Sequence, residues 1–279
     1  MCIRDSRYTV LRDGIVQGSG DPKLIDPAQI VREMLGRELV ATREEPPVAC
    51  GDDLEHEVLL EVKGLGGRVR PRSVDFTLRR GEVLGVAGLV GSGRTELLRL
   101  ILGLDQPVRG SVEMKAPRGI GLLSEDRGGE GLMLGRSIAE NVMLSRGGPF
   151  LALPGKDLLE GSRWIAQLAV RSSGPAQTVG ELSGGNQQKV QIARLLREDY
   201  DVLLVDEPTR GIDVASKAQV LSLVRELARK GKGIVLVSSQ LDELVSTCDR
   251  IAVLRRGALE SPRPASQWSE ETLLLEASS

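Results

Sequence analysis

Gly88-Leu89-Val90-Gly91-Ser92-Gly93-Arg94-Thr95 follows the apolar run Val83-Leu84-Gly85-Val86-Ala87, and the fold turns on reading the two together. A short apolar run of that kind suits a strand buried on both faces. Glu96, Leu97, Leu98, Leu100, Ile101 and Leu102 then predict a helix, with Gly103 placed to end it. A strand, a glycine loop and a helix in that order make a phosphate cradle. The glycines let backbone N–H groups turn inward, and the helix N-terminus adds partial positive charge. The loop matches G-x-x-x-x-G-K-[ST] except that Arg94 stands in the lysine position. Arginine is always charged, but its planar fork is bulkier than an ammonium and is not bound to occupy the same place. Thr95 is the expected Mg²⁺ ligand through its hydroxyl.

A second buried-strand run, Val202-Leu203-Leu204-Val205, ends in Asp206-Glu207-Pro208-Thr209. A carboxylate where an apolar strand emerges can reach a phosphate-bound Mg²⁺, directly or through water. The next one, Glu207, is placed to orient or deprotonate an attacking water. Between the two strands lies Leu182-Ser183-Gly184-Gly185-Asn186-Gln187-Gln188-Lys189, ahead of an amphipathic helix through Val190, Ile192, Ala193, Leu195 and Leu196. Ser183 reads as an N-cap, and the two glycines leave the amide edge of a helix start open, which is another anion site. Lying apart from Gly88–Thr95 on one compact domain, it is expected to face a second ligand held by a partner domain.

Bulk properties agree with a compact α/β chain. Of 279 residues, 41% are apolar but only 2% aromatic, so the core must be aliphatic. A net charge of −2 gives no broad basic field for nucleic acid. Cys2, Cys50 and Cys248 fit neither zinc spacing nor a disulfide framework, and the lone His56 rules out a histidine cluster. No apolar run approaches the ~18 residues that span a bilayer.

The chain also repeats itself. Arg7-Tyr8-Thr9-Val10-Leu11-Arg12-Asp13-Gly14 returns as Arg250-Ile251-Ala252-Val253-Leu254-Arg255-Arg256-Gly257, an offset of 243 residues from Arg7 to Arg250. Beyond each, a helix start follows, at Asp26-Pro27 and at Ser269-Glu270. The reading is that residues 1–41 are the remnant of the end of a preceding copy and 42–57 a linker. Residues 58–260 are then the complete domain, with a helical part near 132–198, and 261–279 a C-terminal tail.

The Leu182-Ser183-Gly184-Gly185 segment, between a phosphate loop and an Asp-Glu-Pro strand end, resembles the signature of ATP-binding cassette (ABC) transporters. Gly91–Leu97, Ser124-Glu125-Asp126-Arg127, Asn186–Lys189 and Thr209-Arg210-Gly211-Ile212-Asp213 are similar to the second cassette of tandem ribose, galactose or xylose importers. The resemblance implies an α/β RecA-like P-loop NTPase core with a small antiparallel β part and a helical signature subdomain. It implies ATP and Mg²⁺ as cofactors, with Gly88, Leu89, Val90, Gly91, Ser92, Gly93, Arg94, Thr95 and Glu96 binding nucleotide. Leu182, Ser183, Gly184, Gly185, Asn186 and Gln187 form the signature, Thr95, Asp206 and Glu125 the metal positions, Glu207 the catalytic one, and Ser239 and Asp213 the switch and D-loop positions. Implied partners are membrane permease subunits, a sugar-binding protein acting through them, and another ABC domain, with the chain peripheral on the cytoplasmic face of the membrane. Gly128–Met143 would face the permease.

Four positions depart from the family pattern. Arg94 replaces lysine, Glu125 stands where a glutamine is usual, Ser239 replaces the switch histidine, and no aromatic residue lies between Leu59 and Arg72 to stack on adenine. Electrostatic groups of this kind are worth about 10²–10³ in rate each. The expectation is therefore an ATP hydrolase of low activity in isolation, whose intact signature completes the partner's site. The competing readings are a non-hydrolysing regulatory module and an importer of nucleosides.

Overall fold

In the computed structural model, residues 8–12, 15–21, 57–144 and 154–278 are described, and the chain divides into two compact units, residues 1–49 and 50–279. Of the sequence expectations, the helix start at Asp26, residues 42–56 of the linker, His56, Cys2 and Cys50 lie outside the described residues.

In the first unit, strand β1 (Tyr8–Arg12) pairs antiparallel with β2 (Ile15–Gly20). Leu11 pairs with Val16 and Arg12 with Ile15. In the second unit the sheet strands are β5 (Val83–Ala87), β7 (Ile120–Leu123), β8 (Val202–Asp206), β9 (Gly233–Val237), β10 (Arg250–Arg255), β11 (Ala258–Leu259) and β12 (Arg263–Pro264). The first five are parallel, in the order β7-β8-β9-β5-β10, while β11 and β12 pair antiparallel with β10. A separate antiparallel sheet has the order β4-β3-β6, from Val74–Arg79, Val58–Gly66 and Arg109–Met114.

The apolar strand runs are sorted by their period of two. On β8, Val202 and Leu204 enter one core with β3, β4 and helix α1 (Arg94–Leu102), whereas Leu203 and Val205 enter the opposite core. Helices α4 (Gly184–Arg197), α5 (Val214–Arg229), α6 (Leu241–Thr247) and α7 (Glu270–Ser278) contribute to that opposite core. Cys248 lies in it, fully buried, with its Sγ only 2.7 Å from where a Cβ on Gly85 would stand. A third core joins Leu132, α2 (Ile138–Met143), α3 (Pro154–Gln167) and α4. Residues 261–278, expected as a tail, cover the sheet edge: Ser269 caps α7 through Thr272, and Leu273 and Ala277 are buried.

All five parallel strands run the same way, so their C-terminal ends lie along one edge. That edge carries Gly88, Ser124, Asp206 and Ser238, the positions from which ligand-binding loops of open α/β sheets depart.

Candidate functional site

The glycine loop leaves β5 through Gly88, where a Cβ would lie 2.7 Å from Ser92 Oγ and 2.8 Å from the Leu254 carbonyl. Gly91 and Gly93 take left-handed backbone, φ 78° and 106°, that other residues adopt only with strain. Gly93 N-caps α1 without a side chain, so the first amides of the helix have no side-chain cap. Leu89 and Val90 stand exposed on the outer side of the loop, and Glu96 is exposed on the first turn of α1.

The Thr95 side chain hydrogen-bonds the carboxylate of Asp206, so the loop and the strand end meet. Asp206 is 2% exposed, and its Oδ1 is buried without a partner, as is Ser92 Oγ. Burial pushes the Asp206 carboxyl up to about 6, with the Thr95 bond pulling it down and neighbouring Glu207 raising it further. A buried carboxylate oxygen lacking a donor, beside a hydroxyl, is a hard oxygen pair that fits Mg²⁺. Among the described residues no three His, Cys, Asp or Glu side chains cluster as metal ligands. A cation here would complete its shell with phosphate oxygens and water, which is how Mg²⁺ is commonly held.

Glu207 follows with left-handed backbone, φ 44°, unusual for a residue with a Cβ. Its N–H donates to the Val237 carbonyl at 2.9 Å, which pins it between β8 and β9. One carboxylate oxygen lies 3.3 Å from Arg94 Nη2, and the other accepts the Ser239 hydroxyl at 3.0 Å. The remaining arm of Arg94 donates to the Ser238 carbonyl at 2.7 Å. The sequence places Arg94 in the phosphate cradle, but its guanidinium is buried behind the loop and bonded to the chain itself. Glu125 pairs with Arg210 rather than with Thr95 or Asp206.

The signature segment occupies the start of α4. Ser183 is its N-cap in backbone terms, yet its hydroxyl caps no amide; it accepts from Asn186 Nδ2 at 2.9 Å. The Asn186 carbonyl oxygen in turn accepts the Arg171 N–H. Leu182 is buried, and its carbonyl accepts from Gln187 Nε2 at 3.2 Å. Gly185 is required by packing: a Cβ there would lie 2.6 Å from Ser216 Oγ on α5. Asp213 caps α5, accepting both the N–H and the hydroxyl of Ser216. The signature helix and the D-loop helix thus touch at their first turns.

Arg70 and Glu243 escaped the sequence reading, and Arg127 entered it only as part of a quoted motif, without a role. Arg70 donates to the Gly91 carbonyl at the loop mouth. Arg127 donates to the carbonyls of Gly184 and Arg210, tying the signature turn to the segment after β8. Glu243, with its side chain fully buried, accepts from Thr209 at 2.5 Å and Ser238 at 2.7 Å and pairs with Lys217 at 3.0 Å. No motif marks Glu243, because its partners lie on three separate segments.

The ABC transporter family model matches residues 71–210. The chain is 42% identical, over 96% of its length, to a ribose import ATP-binding protein of Rubrobacter xylanophilus, of which it covers 56%. It is 40% identical, over 91% of its length, to an arabinose import ATP-binding protein of Azospirillum brasilense, of which it covers 51%. The chain therefore spans about half the length of the curated relatives it matches. Among solved structures, the ATP-binding subunit of an ABC transporter superposes with a TM-score of 0.66 at 24% identity, covering 79% of this chain and all of that one. A dimeric ATP-binding cassette bound to ADP and Pi gives 0.63 at 22% identity, covering 74% and 99%. At these identities the structural likeness speaks for the fold.

Proposed function

From the premise that the chain belongs to the ABC transporter family, we propose that it is an ATP-binding cassette coupling ATP binding and hydrolysis to monosaccharide import. The observation that carries this is the meeting of Thr95 and Asp206 in one pocket, with Glu207 next to them at the strand ends. Thr95 and Asp206 would hold Mg²⁺, which when bound neutralises phosphate charge. The turn Gly88–Thr95 cradles the phosphates with backbone N–H groups, and Glu96 sits at its rim. Glu207 takes the proton of the attacking water. The ribose and arabinose importers among the relatives support a sugar as cargo.

Surface features support the choice of partners. A groove of about 520 Å³, lined by Leu102, Leu104, Leu122, Leu144, Ser124 and Arg194, suits a permease helix. A sugar-binding protein then acts through that permease. Among the described residues no helix is long and apolar enough to cross a membrane. The likeness to import ATP-binding proteins supports a peripheral place on the cytoplasmic side, through the permease. Ser183, Gly184 and Gly185 complete a nucleotide site on another ABC domain, while this chain's own pocket is the slower of two unequal sites. The hairpin β1–β2 supports that tandem reading. Its pairs Leu11–Val16 and Arg12–Ile15 recur as Leu254–Leu259 and Arg255–Ala258, each shifted by the 243 residues of the sequence repeat.

Titration with a fluorescent ATP analogue, with and without Mg²⁺, tests the site. Wild-type chain is expected to bind in a Mg²⁺-dependent manner, and Thr95→Ala and Asp206→Asn to lose that dependence. Equal binding by all three proteins removes the reading. Single-turnover hydrolysis separates a slow ATPase from a regulatory module, the reading that the internal Arg94–Glu207 pair favours second.

A further inference from the structure

We infer that Arg94 latches the carboxylate of Glu207, so that nucleotide must take the guanidinium away before the base can act. The inference rests on the nucleotide reading of the pocket and adds a control to it.

Arg94 and Glu207 are both more than nine-tenths buried. The two terminal nitrogens of Arg94 are committed in different directions, one to Glu207 and one to the Ser238 carbonyl. That bridge suits a planar fork with fixed donor directions, whereas a single ammonium on a flexible stem holds no such geometry. On its other side Glu207 is held by Ser239, a short neutral group. Both carboxylate oxygens are therefore occupied by the chain itself. The carboxylate has little freedom to turn away, because the left-handed backbone and the N–H bond to Val237 fix its stem.

Charge balance points the same way. Asp206, Glu207 and Arg94 are packed together with Glu96 nearby, so Arg94 is the cation facing a group of carboxylates. A polyphosphate entering the loop raises the negative charge and offers Arg94 a stronger acceptor than a single carboxylate. Moving the guanidinium from Glu207 to phosphate exchanges one anionic partner for another. It also leaves Glu207 with an uncommitted oxygen to accept a proton from water. Binding and activation become one event, and the carboxylate competes with nucleotide for the same cation.

A double-mutant cycle on ADP affinity, in EDTA so that neither metal nor hydrolysis enters, tests the latch. Wild type, Glu207→Gln, Arg94→Met and the double variant are compared by calorimetry. Glu207→Gln is expected to tighten ADP binding about tenfold where Arg94 is present, and to change nothing in the Arg94→Met background. Equal effects in both backgrounds, or no effect in either, overturn the latch while leaving the pocket intact. Absence of ADP binding in all four overturns the nucleotide reading and the latch with it. Thermal unfolding without ligand gives an independent cycle. The latch requires each single variant to unfold at a lower temperature than additivity with the double variant allows, and additive shifts overturn it. Arg94→Lys is further expected to raise single-turnover ATP hydrolysis several-fold, and a fall counts against the proposal.

Discussion

Helix α1 starts after Gly93 and helix α4 after Ser183, and no side chain caps the first amides of either. Around α1 the nearby side chains turn inward: Arg94 is bonded to Ser238 and Glu207, and Thr95 to Asp206. Around α4 they bond along the surface. Ser183 takes only Asn186, and Arg127 reaches carbonyls rather than the helix amides. One start is closed over by its own chain and keeps an internal cation. The other presents bare amides and an exposed serine. Two helix N-termini of like composition thus differ in what backs them, an internal cation in one case and surface hydrogen bonds in the other, and the difference lies in the side chains beyond the glycines.

Four substitutions put that contrast to the test. The largest effect is expected behind the pocket. Glu243→Ala removes the acceptor of the buried Thr209 and Ser238 hydroxyls and one partner of Lys217, which keeps Gln240 and Asp242, at a cost of about 3 kcal/mol in urea unfolding. A loss under about 1 kcal/mol would mean that the buried pair is not structural. Ser183→Arg on the open start should lower sugar uptake by a whole transporter about 100-fold, or about 2.7 kcal/mol, with ADP affinity of this chain unchanged. Normal uptake in that variant would deny the surface its role.

Asp206→Asn should stabilise the nucleotide-free chain by about 2 kcal/mol at pH 8, while removing Mg²⁺-dependent binding. The sign follows from the raised carboxyl. Between the unfolded value near 3.9 and the folded value of about 6, the folded chain holds more protons than the unfolded one. Wild-type stability therefore rises as pH falls through that window, and the advantage of asparagine shrinks with it. Melting curves at pH 8, 6 and 4 check this, and a pH-independent difference would contradict it. The smallest effect is expected at Gly185→Ala, which drives a methyl to 2.6 Å from Ser216 Oγ and should cost about 1–2 kcal/mol. Adding Ser216→Gly should recover most of that loss.

Much of this was legible in the residues because the signals are local. The runs at Val83 and Val202 suited buried strands and are buried strands, and Gly103 does end α1, with left-handed φ 79°. The encounter of Thr95 with Asp206 followed from the order of motifs along parallel strands. What the sequence could not give was direction. Arg94 carries the same charge whether it faces a phosphate or Glu207, and only the packing of Ser238 against it decides. Glu125 likewise reads as a metal position in the sequence, whereas in the structure its carboxylate pairs with Arg210. Ser183 shows the same limit, since a correct N-cap position did not fix what its hydroxyl bonds.

Cys248 has one practical consequence. Its thiol is wholly enclosed beside Gly85, and burial pushes its pKa well above the ordinary thiol range, so almost none of it is the nucleophilic thiolate. With Cys2 and Cys50 changed to serine, a thiol reagent would reach this sulfur only when the main sheet opens. The labelling rate would then serve as a clock for that opening, and its slowing by ADP would read nucleotide occupancy without a probe attached to the pocket.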